Sequence, residues 1–496
     1  MPKAITTPTE DIAVIDVGSN SVRMVVFHVE GRAIWPVFNE KLMAGLGQDL
    51  SKTGKLSPDG VERAMAVLRR FRVLLDRYEP THIYAVATAA VRDARDGQEF
   101  LRRVEDETQI PLQVISGGEE ARLSALGVIA GDPDADGLAA DLGGASLELI
   151  ELADRQPQSG VTLPLGPFSL EAEGLSQKRA RTIIQHYLDA LPLQFQVKTL
   201  YAVGGAWRNL ALVHMHRSEY PLHIVHNYRL PADEVEDLVK YVRRARPATL
   251  EAIPNFSKKR LPTLPYAAVL LDELMKYLGA DEVQLSAYGL REGLVFDHLD
   301  AEVQAADPLL AGAQAMGQRT IVSQDLGEAL QRWIAPAFEK LPHVMDPERE
   351  RIVRAAACRM ADMGARLHTD HRGSLVFGQV LRAPFAGVSH MERAFIAAAL
   401  FHRHASRNDP PEMAVLTHLL NPAQMSRAKA LGFAMRLGCD VSGRAAVFLQ
   451  NCELKLRPQG LLLQASPKWA DMLLGDTTQK RLDQLGEVMG LPVQIL

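Results

Sequence analysis

The sequence predicts an α/β protein built from two duplicated halves, followed by an all-helical module and a small α+β tail. Three observations carry this. Strand-like and helix-like segments alternate through the first 300 residues, the pattern of an α/β fold. The motif Asp16-Val-Gly18-Ser19-Asn20-Ser21 returns 125 residues later as Asp141-Leu-Gly143-Gly144-Ala145-Ser146, each time between a small, apolar run and a second β-like run. Near residue 300 the alternation stops and Ala, Leu, Arg, Met and Glu take over at helical spacing.

The elements follow in order. Ile12–Asp16 is an apolar run ending in an acid, and after the Gly18–Ser21 turn Val22–Val29 is a second strand. Ser57–Tyr78 has apolar residues at helical spacing (Val61, Met65, Leu68, Phe71, Leu75) and opens with a Ser-Pro pair suited to a cap and first turn. Ile83–Ala87 and Leu112–Ser116 are strands, with Gly97–Thr108 a helix between them. Another helix starts at Glu119 after Gly117-Gly118. Tyr201–Val203 is a short strand that runs through Gly204-Gly205 into a helix. Leu309–Leu420 is helical, with Pro342, Pro347, Gly373 and Pro384 at segment edges. From about Gly432, Ala446–Leu449, Glu453–Leu456 and Gly460–Gln464 alternate as strands. The expected domains are 1–130, 131–302, 303–425 and 426–496.

The chain has 496 residues, 47% of them hydrophobic and 23% charged, which excludes a disordered or fibrous protein and exceeds a single core. The net charge of −5 gives no global signal for nucleic acid or an anionic membrane, so the charge that receives an anionic ligand must be local. No apolar run approaches the ~18 residues of a membrane span, and the N-terminus lacks a basic segment followed by an apolar one. Cys358, Cys439 and Cys452 are scattered without CxxC spacing, as expected of reduced thiols in a cytoplasmic protein.

The chemistry is expected at the glycine turns. A strand ending in Asp before a tight Gly/Ser turn aims backbone N–H groups and hydroxyls at one point, suited to phosphate oxygens, while Asp16 or Asp141 can hold Mg²⁺. Gly204-Gly205 offers free helix N-terminal amides to an anion. Of Glu119 and Glu120, in the first turn of a helix, one is expected to face the cleft as a base for water and the other to cap the helix. Arg92, just beyond a strand end, can clamp a phosphate. Arg243-Arg244-Ala-Arg246 and Lys258-Lys259-Arg260 are the basic runs available to an extended polyanion. Thr53-Gly54-Lys55 is not a P-loop, because Asp49 and Leu56 stand where Gly and Ser or Thr are required. His368, His371, His402 and His404 are expected at the surface or on anions; the Asp of Ala361-Asp362 has no His before it, which argues against a metal site there.

Seven segments together resemble the exopolyphosphatase/guanosine pentaphosphate phosphohydrolase family of the sugar kinase, actin and heat-shock ATPase superfamily. They are AVIDVGSNSVRMVVF (13–27), AVATAAVRDARDG (85–97), VISGGEEARLSALGV (114–128), ADLGGASLELIEL (140–152), LPLGPFSL (163–170), YAVGGAWRNLA (201–211) and SAYGLREGLVFDHL (286–299). The resemblance implies two ribonuclease-H-like domains with the active site between them, and hydrolysis of the terminal phosphate of inorganic polyphosphate with Mg²⁺ or Mn²⁺. It makes Glu120 the catalytic base and Asp141 and Glu148 the metal-associated acids, with Asp16 a further metal candidate from its own turn. It makes Arg92, Ser19, Asn20, Ser21, Gly143, Gly144, Ala145, Ser146, Gly204 and Gly205 the phosphate contacts. Arg260 joins them, with Arg260-Leu261-Pro262 replacing the family's R-A-D context. The C-terminal part resembles an HD-related extension lacking the metal-binding doublet, expected to lengthen an anionic channel. A cytoplasmic homodimer acting on polyphosphate is implied. Guanosine pentaphosphate hydrolysis and phosphotransfer from polyphosphate to ADP are the alternative reactions.

Overall fold

The computed structural model describes residues 9–167, 170, 176–191, 195–317, 325–405 and 409–496; Phe168 and Ser169 of the LPLGPFSL segment lie outside them. The chain divides into two compact units, Met1–Ala306 and Asp307–Leu496.

The first unit holds two sheets. One comprises β1 (Thr9–Val17), β2 (Ser21–Glu30), β3 (Ala33–Met43), β4 (His82–Ala87) and β5 (Leu112–Val114), in the order β3-β2-β1-β4-β5. The other comprises β6 (Gly137–Leu142), β7 (Leu147–Ala153), β8 (Gln156–Leu163), β9 (Thr199–Val203), β10 (Arg229–Pro231) and β11 (Glu282–Ser286), in the order β10-β11-β9-β6-β7-β8. Each sheet begins with an antiparallel three-stranded meander and continues with two parallel strands, so β6, β7, β8, β9 and β11 occupy the places of β1 to β5.

Residue parity sets the layers, because successive strand side chains point to opposite faces. Ile12, Val14, Val25 and Phe27 of the first sheet and Ala139, Ile150, Tyr201 and Val203 of the second share one core with the helices Gly117–Gly131 and Leu290–His298. These two helices therefore lie between the sheets. The other face of the first sheet packs on the helices Pro58–Tyr78 and Gly97–Thr108. The other face of the second packs on Gly205–Arg217, Ala232–Arg244 and Leu264–Leu278.

Glycine lets the two central helices touch backbone to backbone. A Cβ on Gly293 would sit 1.8 Å from the Leu123 carbonyl oxygen, and one on Gly127 would sit 2.1 Å from that of Gly289. An ion pair of Arg122 with Asp297 (2.9 Å) joins the same two helices.

The described residues of the second unit form helices between Pro308 and Leu449, and the chain ends in a three-stranded sheet, β12 (Cys452–Arg457), β13 (Gly460–Ala465) and β14 (Val493–Ile495), with the helix Asp476–Met489 before its last strand. Ala446–Leu449, expected as a strand, is a single helical turn, since a four-residue apolar run has no period by which to tell the two apart. The helix Pro422–Val441 runs through residue 425, and strands begin only at Cys452. His368 and His371 are exposed, as expected, but His402 is buried. Burial lowers the His402 pKa to about 4; burial, then Arg403 and Arg372, lowers that of His404 to about 2, so both rings are neutral. Asp362 pairs with Arg444 at 3.5 Å. All three cysteines are free and buried. No helix among the described residues is long and apolar enough to cross a membrane.

Candidate active site

Both Asp-Gly-Ser turns sit at the C-terminal end of the first strand of their sheet. In each the glycine N–H donates to the serine carbonyl, Gly18 to Ser21 at 3.0 Å and Gly143 to Ser146 at 3.1 Å, so those amides close the turn. The carbonyls of Ser19 and Asn20 accept from Gly47 (2.8 Å) and Ala44 (3.0 Å), which ties the first turn to the chain after β3. The second is covered by Gly166, whose N–H donates to the Ala145 carbonyl at 3.0 Å.

The register places Asp16 opposite Arg23 and Arg23 opposite Lys41, a row across three strands on the inner face. The equivalent row of the second sheet is Asp141, Glu148 and Thr162. One row is mostly basic, the other mostly acidic.

The acidic side gathers Asp141, Glu148 and Glu120. The Ser124 hydroxyl donates to Asp141 Oδ2 at 2.5 Å. Burial pushes all three carboxyls up, and Asp141 adds to the rise of the other two: Glu120 rises to about 7 through burial and then Asp141, Glu148 to about 8 through burial and then Asp141, and Asp141 itself rises through burial. Ser146 hydrogen-bonds Glu148 and opposes its shift. Arg92 Nη1 lies 3.5 Å from Glu120 Oε2 and donates to the Ile115 carbonyl at 3.2 Å. Glu120 keeps 19% of its side chain open, whereas Glu148 is 3% exposed; of the two, Glu120 is the one that meets water. Glu119 does not cap its helix. Ser116 Oγ accepts the Glu119 N–H at 3.1 Å, and the Glu119 carboxylate pairs with Arg122 at 2.8 Å, because a side chain just before the first turn reaches those amides more directly.

The basic side gathers Arg260, expected from the sequence, with residues that the motifs did not single out: Arg23, Lys41, Arg208 and Arg291. Arg291 Nη1 donates to Asp16 Oδ2 at 2.9 Å. Against burial, which lowers it, Glu292 and Asp16 hold the Arg291 pKa above its usual value. Burial and then Arg291 lower Arg23 to about 10; Lys41, which keeps an open face to solvent, is lowered to about 8 by desolvation among its neighbours and then by Arg260 and Arg23. Arg208 also acts on Arg23. Arg260 is lowered by burial, and its guanidinium lies where a Cβ on Gly205 would be 2.7 Å away, so a cation sits over the N-terminus of Gly205–Arg217. Gly204, at φ +115°, allows the chain to pass the Leu142 carbonyl, which a Cβ would approach to 2.6 Å. Lys258, Lys259, Arg243, Arg244 and Arg246 point to solvent.

Cations crowded enough to depress one another's pKa attract a polyanion, and buried carboxylates that raise a neighbour's pKa attract a cation. Their all-oxygen donor set suits a hard divalent ion such as Mg²⁺ or Mn²⁺.

Comparison with known proteins bears on the fold and the family. Residues 24–302 match the Ppx/GppA phosphatase family, and residues 321–496 match the C-terminal domain of exopolyphosphatases. The chain is 28% identical over 306 residues to exopolyphosphatase 1 of Mycobacterium tuberculosis, covering 59% of this chain and 89% of that one. It is 26% identical to exopolyphosphatase 1 of Mycobacterium leprae, over 59% and 90%. Among solved structures, an exopolyphosphatase from Cytophaga hutchinsonii is 25% identical with a TM-score of 0.53, over 59% of this chain and 99% of that one. The Aquifex aeolicus Ppx/GppA family member is 24% identical with a TM-score of 0.53, over 58% and 97%, and shares the fold. The family match alone spans more than half the sequence, and the chain belongs to the Ppx/GppA phosphatase family.

Proposed function

We propose that this protein is an exopolyphosphatase that removes orthophosphate from the end of inorganic polyphosphate. The observation that carries the reading is the confrontation of a basic row (Arg23, Lys41, with Arg291 and Arg260) with an acidic one (Asp141, Glu148), with Glu120 on the acidic side and open to water. In this reading the two sheets are duplicated ribonuclease-H-like domains, 1–130 and 131–302, and an HD-related module (303–425) and an α+β domain (426–496) follow.

The terminal phosphate is held by Arg92, by the hydroxyls and amides of Ser19, Asn20, Ser21, Gly144, Ala145 and Ser146, and by Gly205 beneath Arg260. Arg23, Lys41 and Arg291 receive the next phosphates, and Asp16 orients Arg291 through its 2.9 Å bond. Asp141 and Glu148 would hold a divalent ion, which neutralises phosphate oxygens when bound. Glu120 orients a water and accepts its proton. The water oxygen bonds to the terminal phosphorus in line as the bridging P–O bond breaks, and the bonding pair leaves on the shortened chain. A pKa of about 7 makes Glu120 half-deprotonated near neutral pH, where a general base works best.

Phosphate release from long-chain polyphosphate, with Mg²⁺ and after its removal, tests the proposal; guanosine pentaphosphate and ADP are assayed in parallel. Mg²⁺-dependent orthophosphate release from polyphosphate is expected. Faster turnover of the nucleotide, or ATP formation in place of orthophosphate, would overturn the assignment.

A further inference from the structure

The helix that presents Arg291 to the active site carries a second cluster at its other end. Glu10 and Asp16 share the inner face of β1, about 20 Å apart at the rise of a strand. The Leu290–His298 helix runs beside this face, so Arg291 meets Asp16 while His298 meets Glu10. His298 Nε2 is 3.3 Å from Glu10 Oε2, and His82 Nε2, from the start of β4, is 3.6 Å from the same oxygen. The rings of His82 and His298 lie 4.5 Å apart, and one ligand atom from each of the three residues falls within 4.8 Å of the others. Two imidazoles and a carboxylate around a tetrahedral Zn²⁺ stand about 3.3–3.5 Å apart, from bond lengths of about 2.0–2.1 Å.

The surroundings orient these groups. The Tyr84 hydroxyl bonds His298 Nδ1 at 2.8 Å, which turns Nε2 toward Glu10 as the outer partner of a metal-bound histidine does. The Thr81 N–H donates to the Asp11 carbonyl at 2.7 Å, pinning the start of β4 to β1. Asp11, on the opposite face of β1, is engaged by His28 at 2.7 Å and does not compete.

We propose that Glu10, His82 and His298 form a binding site for a borderline transition ion of the Zn²⁺ class, with water as the fourth ligand. The ion joins β1, β4 and the far end of the helix that positions Arg291. The nitrogen donors separate this site from the all-oxygen catalytic cluster, and it stands whether or not polyphosphate is the substrate.

The test uses full-length protein stripped of metal with a chelator and titrated with Co²⁺ in excess Mg²⁺, which occupies the oxygen site. The expected result is one strongly absorbing, low-coordinate Co²⁺ per chain, displaced by Zn²⁺. His82→Ala is expected to weaken that binding at least tenfold; the residue is exposed, so its loss leaves the fold intact. Tyr84→Phe is expected to weaken it about tenfold, and Glu148→Gln to leave it unchanged. Zn²⁺ is expected to raise the melting temperature of the wild type and not of His82→Ala. Absence of the absorption band, or its survival in His82→Ala, would reduce the cluster to surface ion pairs and overturn the proposal.

Discussion

The two Asp-Gly-Ser hairpins are nearly the same object with opposite charge. Each closes with a glycine N–H on a serine carbonyl, at 3.0 and 3.1 Å, and each puts the residue seven positions after its aspartate directly across from it. In the first sheet that residue is Arg23, followed across the next strand by Lys41; in the second it is Glu148, followed by Thr162. One backbone design thus yields a mostly basic row and a mostly acidic row, set apart by the side chains that the two sheets place on their inner faces. A site built this way can grip a polyanion and its counter-ion from opposite walls while the net charge of the chain stays at −5.

The largest expected effect lies at Glu120, which belongs to neither row. Glu120→Gln keeps the shape and removes the base, so kcat on polyphosphate is expected to fall about 10³-fold, while the dissociation constant for polyphosphate, measured by calorimetry, stays unchanged. A loss of less than tenfold would place the base elsewhere. The rows themselves come next. Glu148→Gln is expected to lower kcat about 10²-fold and to raise the Mg²⁺ concentration for half-maximal activity, whereas Arg23→Gln is expected to raise KM about tenfold with Mg²⁺ dependence unaltered. If both variants move the same parameter, the division into two walls is wrong.

The contact that sets the walls apart can be tested without touching either. A methyl group on Gly293 must displace the Leu123 carbonyl, 1.8 Å from its Cβ position, and so separate the helices that carry Arg291 and Glu120. Gly293→Ala is expected to cost about 1–3 kcal/mol of stability, read from the urea midpoint, and to lower kcat by a smaller factor than Glu148→Gln.

Much of this site was legible in the sequence because strand, turn and hydroxyl are local. The Asp16 and Asp141 turns, the alternation through residue 300 and the acidic first turn at Glu120 all follow from spacing along the chain. Arg23, Lys41, Arg208 and Arg291 did not, since what brings them together is sheet register and helix packing. A signal for Arg23 was nevertheless present: aligning the two repeats on their aspartates sets Arg23 against Glu148, and the change of sign at that column marks the two walls. Arg291 stands within SAYGLREGLVFDHL, but its role depends on a partner 275 residues away in sequence, Asp16. His402 misled because helical periodicity alone could not tell which histidines of an Ala-rich helix turn inward.

The smallest effect sharpens the comparison most, because each wall has its own titration. In the free enzyme Glu120 must lose its proton to act as a base and Glu148 its own to hold the cation, so kcat/KM is expected to rise with pH through about 7 to about 8. Lys41 must keep its proton to hold phosphate, and with a pKa of about 8 it loses that charge just above, so kcat/KM is expected to fall again by a few-fold on the alkaline side. Lys41→Arg removes the second limb and leaves the first, since a guanidinium stays charged across that range. Bound polyanion raises the lysine pKa and bound cation lowers that of the glutamate, so the plateau in kcat is expected to be broader than that in kcat/KM. An alkaline limb that persists in Lys41→Arg would move the titrating group off the basic row and leave Arg23 and Arg291 to hold the polyanion without it.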